Sequence, residues 1–256
     1  RVPVPSQETD VLIPSSNSLS RSLSGQISRK LGERILDGQL APGQLLPDEN
    51  ALCEEFGVSR TAVREAVKML VAKGFLEVRQ RIGTRVLDVR NWQMLDRDVL
   101  MWHQSITIDN ARLISLMELR QSIEPDAAFY AAARRSETQL AAIHDACVQM
   151  ETHAAKNSEY VLSDARFHIA VLRAANNPYL DSLENAIFAG LMLSIRLTNP
   201  DEALNRKSVP LHLAIAEAIK AQDPDAAYDR MKEHLADAAR RLSEVARDGR
   251  SGPVRT

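Results

Sequence analysis

The sequence predicts a mainly α protein in two parts: a small N-terminal head of three helices and one β-hairpin, then an all-α antiparallel helical bundle. Three observations carry this. The 256 residues exceed the usual size of one domain. Apolar residues make up 45% of the chain and aromatics only 4%, an Ala-, Leu-, Ile- and Val-rich balance that suits helix-on-helix packing. Helical spacing of apolar residues gives way to β-type runs in one place only, between Phe75 and Val89.

Residues 1–23, polar and Ser/Pro-rich without periodicity, read as a flexible arm. The head covers residues 24–90. Its first helix carries Ile27, Leu31, Ile35 and Leu36 on one stripe and stops at Gly38. After the turn-rich Leu40-Ala-Pro-Gly-Gln-Leu-Leu-Pro segment, Asp48 caps a short helix with Leu52 and Phe56, which Gly57 ends. Ser59 caps a third helix, buried through Val63, Ala66, Val67 and Leu70, with Gly74 at its exit. Two short strands, Phe75–Arg79 and Thr84–Val89, are joined by Gln80-Arg-Ile-Gly. Helix, helix, tight turn, helix and hairpin make a winged helix-turn-helix. Residues 91–94 read as a linker. Residues 95–247 are helical in pattern, with helices at about 95–104, 110–134, 137–156, 158–175, 178–197, 208–222 and 224–247. Residues 248–256 read as a fraying tail.

Composition narrows the function classes. No apolar run approaches the roughly 20 residues that cross a bilayer, and Arg1-Val-Pro-Val-Pro lacks the layout of a secretion signal. Cys53 and Cys147 match no metal or redox spacing, so two reduced thiols in a cytoplasmic protein are expected. The net charge of −2 hides an asymmetry. From Ser59 to Arg90, eight basic residues stand against three acids, a balance of +5 that leaves residues 91–256 net acidic. A basic segment of this kind is the footprint of phosphate contact.

A helix-turn-helix reads DNA by presenting the N-terminal side chains of its second helix to base edges in the major groove. Here that helix begins Ser59-Arg60-Thr61-Ala62-Val63-Arg64. Arg60 and Arg64 lie one turn apart on one face, and a guanidinium fork can pair with guanine or grip phosphate. Ser59 and Thr61 can bond phosphate oxygens, and the wing tip from Gln80 to Gly83 can reach an adjacent minor groove. The run Ile35-Leu36-Asp37-Gly38, Pro42-Gly43, Leu46-Pro47-Asp48-Glu49, then Leu52-Cys53-Glu54-Glu55-Phe56-Gly57-Val58-Ser59-Arg60-Thr61-Ala62-Val63-Arg64-Glu65-Ala66 resembles the DNA-binding domain of GntR-family regulators. The resemblance implies DNA contact by Arg60, Thr61 and Arg64 and phosphate contact by Ser59; Gly83 at the wing tip joins them as a candidate DNA contact from the hairpin's reach. At Asn50, members of the family often carry a DNA-contacting arginine, so that contact is expected to be weaker here.

In the helical part, Asp164 and His168 lie four apart in Ser163-Asp-Ala-Arg-Phe-His and share a helix face. His212 follows Pro210 near an expected helix start, and His234 lies mid-helix. Three imidazoles and a carboxylate suit a divalent cation such as zinc or nickel, but spacing alone does not bring the four together. The pattern Glu118-Leu-Arg120-Gln-Ser-Ile-Glu124-Pro125, Asp164-x-x-Phe-His168, His212 and His234 resembles the ligand domain of FadR-type GntR regulators. In the metal-binding branch of that group the matching aspartate and three histidines hold one cation. Such a cation keeps a net positive charge and an open position for an anionic oxygen. Arg120 and Arg166 are then candidates to pair with a small carboxylate effector.

The segment Trp92-Gln-Met-Leu-Asp-Arg-Asp-Val-Leu-Met-Trp102 is similar to regulators of sugar-acid catabolism, which points to a sugar acid or other hydroxy acid. The expected protein is therefore a homodimeric repressor of an operator, controlled by an organic acid at a metal site. Three alternatives stay open: a metalloenzyme that activates water at the Asp/His set, a sensor for which the cation itself is the signal, and a purely structural metal.

Overall fold

The computed structural model describes residues 22–105, 110–198 and 202–247. The expected arm before Ser22 and the tail after Arg247 lie outside the described residues. The chain forms two compact units that divide between Gln93 and Met94.

The first unit contains α1 (Leu23–Leu36), α2 (Glu49–Phe56), α3 (Arg60–Ala72), β1 (Leu76–Arg79) and β2 (Gly83–Val86). Each helix starts where a short polar side chain can satisfy an orphan amide: Ser22, Asp48 and Ser59 accept from Gly25, Ala51 and Ala62. Gly57 closes α2 at φ +64, a left-handed conformation that glycine adopts without a Cβ penalty. Ile27, Leu31, Ile35, Leu52, Val63, Ala66 and Leu70 are buried, and both α1 and α2 pack on α3. The antiparallel hairpin pairs Leu76 with Val86 and Arg79 with Gly83. It ends sooner than the expected Val89, because the Asp88 side chain accepts from Arg90 N at 3.1 Å and turns the chain into a 3-10 turn at Val89–Asn91.

The segment expected to be a linker is packed onto the head instead. Trp92 stacks on Phe75 with ring centroids 4.8 Å apart, and its Nε1 donates to Leu87 O at 3.0 Å. Gln93 N and Nε2 donate to Lys73 O (2.9 Å) and Ala72 O (2.8 Å) at the end of α3. Gly74 permits this approach, since a Cβ there would lie 2.0 Å from Asn91 O and its φ is +75.

The second unit contains α4 (Arg97–Ser105), α5 (Asn110–Arg134), α6 (Glu137–Thr152), α7 (Asn157–Ala174), α8 (Pro178–Asp181), α9 (Glu184–Thr198), α10 (Glu202–Lys220) and α11 (Pro224–Arg247). Where the connections are described, short turns between successive helices fold them back on one another. α7 is the central member, packed against α5, α6, α9 and α10, while α11 lies along α5 and α10. This surrounds α7 on nearly every side: eleven of its eighteen residues are buried, Tyr160, Phe167 and Leu172 among them.

Two helices differ from the expected bounds. The expected helix 178–197 is broken into α8 and α9 at Ser182, whose Oγ donates to Tyr179 O at 2.6 Å and closes the first turn. The expected helix 208–222 begins at Glu202, so Pro210 lies inside α10 rather than at its start. Proline removes one amide from the ladder without stopping the helix when packing holds both sides, and here Asn205, Ser208, Val209 and His212 are all buried around it.

Candidate metal centre and DNA-reading face

On the head, α3 turns Arg60, Thr61 and Arg64 toward solvent while Val63, Ala66 and Leu70 face the core. The Ser59 hydroxyl accepts from Ala62 N at 3.4 Å, so this side chain serves as the cap. Gly83 lies exposed at the wing at φ +115, preceded by Arg81 at φ +65. Both arginines reach back to Glu49 on α2: Arg64 Nε is 2.7 Å from Oε2 and Arg60 Nε is 3.9 Å from Oε1.

In the helical unit, α7 aims Asp164 and His168 inward from successive turns, α10 brings His212 and α11 brings His234. The ligand atoms of the three histidines lie within 4.8 Å of one another, and all three rings are buried. His168 Nε2 is 3.3 Å from Asp164 Oδ1 and 3.4 Å from His212 Nε2, and His212 Nε2 is 3.6 Å from Asp164 Oδ1. Phe167 walls the cluster, its ring edge-on to His168 and His212.

Outer partners set the ring orientations. His212 Nδ1 lies 2.9 Å from Ser208 O, a carbonyl that can only accept, so Nδ1 carries the proton and Nε2 is the bare nitrogen that faces the centre. His168 Nδ1 lies 2.5 Å from Glu124 Oε2, an ion contact that likewise leaves Nε2 to the centre. Glu124 also accepts from Arg120 Nε at 2.6 Å. Burial alone would raise the Glu124 carboxyl, but the Arg120 guanidinium and His168 outweigh it and hold the group at about 2. Burial would also raise Asp164, yet His212 and His168 hold it well below the ordinary carboxylate value. For His168, burial pushes the pKa down, but Glu124 and Asp164 carry it above the ordinary value. Burial and the neighbouring His212 and His168 push His234 well below its ordinary value, so its ring is neutral near pH 7.

The donor set fits a divalent cation. Asp164 Oδ1 and His234 Nδ1 are buried without a hydrogen-bond partner among the described residues, an arrangement that normally destabilises a fold. Tetrahedral bonds of about 2.1 Å put neighbouring ligand atoms about 3.4 Å apart, close to the 3.3–3.6 Å separations here.

All four residues read from the sequence as metal ligands are therefore close neighbours, and Arg120 joins them, with Nη2 3.4 Å from His168 Nε2. Arg166 does not. It lies two residues from Asp164 and His168, roughly on the opposite side of α7, and its Nη1 donates to Gln149 Oε1 on α6 at 2.8 Å. Glu124 is the residue to which sequence reading gave no role. Its four-residue spacing from Arg120 is a signal that could have found the ion pair, but only the packing of α5 on α7 brings it to His168.

Two family models match in order along the chain: that of the gntR family of bacterial regulatory proteins over residues 23–86, and the FCD domain over 115–237. The galactonate operon transcriptional repressor of Escherichia coli K12 is 35% identical over 217 residues, covering 84% of this chain and 94% of its own. The HTH-type transcriptional regulator LutR of Bacillus subtilis is 32% identical over 68% of this chain and 78% of its own. A solved structure of Lar from Listeria monocytogenes superposes with a TM-score of 0.62, covering 87% of this chain and 97% of that one, at 22% identity, a likeness of fold alone. These families and relatives are regulators of transcription, which sets aside the metalloenzyme reading. The chain belongs to the GntR family of bacterial regulatory proteins, as a DNA-binding transcription regulator that joins a GntR head to an FCD domain.

Proposed function

We propose that the protein is a cytoplasmic, homodimeric repressor whose operator affinity is set by a small hydroxy acid, of the sugar-acid class, bound beside a divalent cation, zinc or nickel. The observation that carries the reading is the buried cluster of Asp164, His168, His212 and His234 beside the guanidinium of Arg120: the donor atoms of Asp164, His168 and His212 are 3.3–3.6 Å apart, and those of the three histidines lie within 4.8 Å of one another. The galactonate repressor, 35% identical to this chain over 217 residues, supplies the effector class.

A cation held there supplies a Lewis-acidic anchor for an anionic oxygen. The chain's own residues do the rest. Glu124 and Ser208 fix the His168 and His212 rings with Nε2 inward. Arg120, tied to Glu124 through Nε, turns a terminal amino group toward the cluster, where it can pair with a carboxylate. The apolar wall of Phe167 excludes water and strengthens both interactions. On the head, Arg60, Thr61 and Arg64 read the major groove, Ser59 and the first amides of α3 meet phosphate, and Gly83 lets the wing approach the backbone. The acid changes operator affinity only to the extent that it binds one state of the dimer more tightly than the other.

The test is metal analysis of the purified protein, with a thermal-shift screen of sugar acids and operator binding measured with and without each hit. We expect one equivalent of zinc or nickel per chain, and an acid that both stabilises the protein and changes operator affinity. Metal-free protein that still responds fully to the acid would overturn the site assignment. In His212→Ala, metal content falls while DNA binding of the acid-free protein survives. A stable monomer in sedimentation at micromolar concentration would remove the dimer.

A further inference from the structure

Glu49 is an acid on a surface that must approach a polyanion, and the geometry around it is specific. It is the first residue of α2, placed by the Asp48 cap, whose Oδ1 accepts from Ala51 N at 3.0 Å. From there its carboxylate crosses to α3 and meets Arg64 at Nε, 2.7 Å away, with Arg60 Nε at 3.9 Å. The two arginine side chains remain about two-thirds exposed, at 65% and 66%.

The choice of nitrogen matters. A guanidinium carries one N–H on its Nε flank and four on its terminal nitrogens. A carboxylate on the Nε flank restrains the side chain and leaves the far end, with its two amino groups, free to face guanine O6 and N7. An unrestrained arginine loses rotamer freedom on binding, whereas one already held has less to lose. The same carboxylate opposes general attraction to phosphate, because it cancels part of the positive charge on α3.

Resting on the reading of α3 as the base-reading helix, we propose that Glu49 is a positioning residue for sequence recognition. It holds Arg64 by the Nε flank, aims its terminal amino groups at a base edge, and favours discrimination over indiscriminate affinity for DNA. Arg60, whose Nε lies 3.9 Å from the carboxylate, is held less closely than Arg64.

The experiment selects binding sites from a random-sequence duplex library with the full-length protein, as wild type, Arg64→Ala, Glu49→Ala and the double variant. Affinities for the wild-type consensus and for unselected duplex are then measured across a salt series. Arg64→Ala should flatten the base preference at one position of each half-site. Glu49→Ala should weaken preference at that same position by about ten-fold, while affinity for unselected duplex stays equal or rises. The double variant should be no less selective than Arg64→Ala, showing that Glu49 acts through Arg64. Thermal unfolding of each variant checks the fold, and a merely structural role for Glu49 would not alter base preference at one position. If Glu49→Ala keeps the full preference that Arg64→Ala loses, the proposal is overturned and the base-reading assignment stands. If Arg64→Ala itself leaves the profile unchanged, that assignment fails and Glu49 falls with it.

Discussion

Among single residues, Glu124 has the sharpest consequences. It is 2% exposed and ionised, and it is in contact with both a guanidinium and a histidine that faces the cluster. Orienting carboxylates of this kind typically change metal affinity by about 10–100-fold. On the proposed metal site, Glu124→Gln is therefore expected to lower zinc affinity by that factor in a competition titration with a chelating dye, with Asp164, His168, His212 and His234 unchanged. Unchanged affinity would mean that the His168 ring is held by packing alone. Cys147 gives a second prediction. Burial pushes its thiol up to about 12, with the Asp164 and Glu217 carboxylates adding to the shift, and the residue is 1% exposed. Since the thiolate is the reactive form, one thiol of the folded protein, the half-buried Cys53, should react promptly with an aromatic disulfide at pH 8. Cys147 should react only after denaturation, and two fast thiols would refute its burial.

Between elements, Gly74 governs how α3 is joined to the end of the head. Lys73 caps α3, Gly74 reverses the chain at positive φ, and Asn91 O rests where a side chain would stand. Gly74→Ala combines an unfavourable backbone conformation with a direct clash. It should lower the stability of the head by about 2–4 kcal/mol, read as an earlier thermal transition. Exposed Thr61→Ala is the comparison, with a change within about 0.5 kcal/mol. Equal effects would show that the 89–93 segment can lift from α3 without loss. Pro210 teaches the opposite lesson about local signals. By itself proline reads as a helix boundary, yet α10 runs through it because Asn205 donates to Ala154 O at 2.9 Å and Ser208 and His212 are packed in the core.

For the whole molecule, the two tryptophans of the chain fall one to each unit: Trp92 at 8% exposure in the head and Trp102 at 5% in the helical unit. Single-tryptophan variants therefore report each unit separately. Zinc at 100 times its dissociation constant stabilises the unit that binds it by about 2.7 kcal/mol. In Trp92→Phe, the unfolding transition followed by Trp102 should move to higher temperature with zinc. In Trp102→Phe, the transition followed by Trp92 should not. A shift seen only through Trp92 would put the cation in the wrong unit.

What the sequence determined by itself was local and periodic. Asp48, Ser59 and Gly57 mark their own helix ends because caps act within three or four residues. The buried stripe of Val63, Ala66 and Leu70 left Arg60 and Arg64 on the outer face by helical geometry alone. Asp164 and His168 share a face for the same reason. The gathering of His212 and His234 around that pair was not legible from spacing; it came from resemblance at the sequence level and from the packing of α10 and α11 in the fold. The tertiary structure alone decided three matters. It turned Arg166 away from the cluster toward Gln149, joined Glu124 to His168 across two helices, and set Glu49 against the arginines of α3. Each of these is a contact between segments distant in sequence, fixed by which faces of neighbouring helices must be buried together, and no local rule of propensity or spacing carries that information.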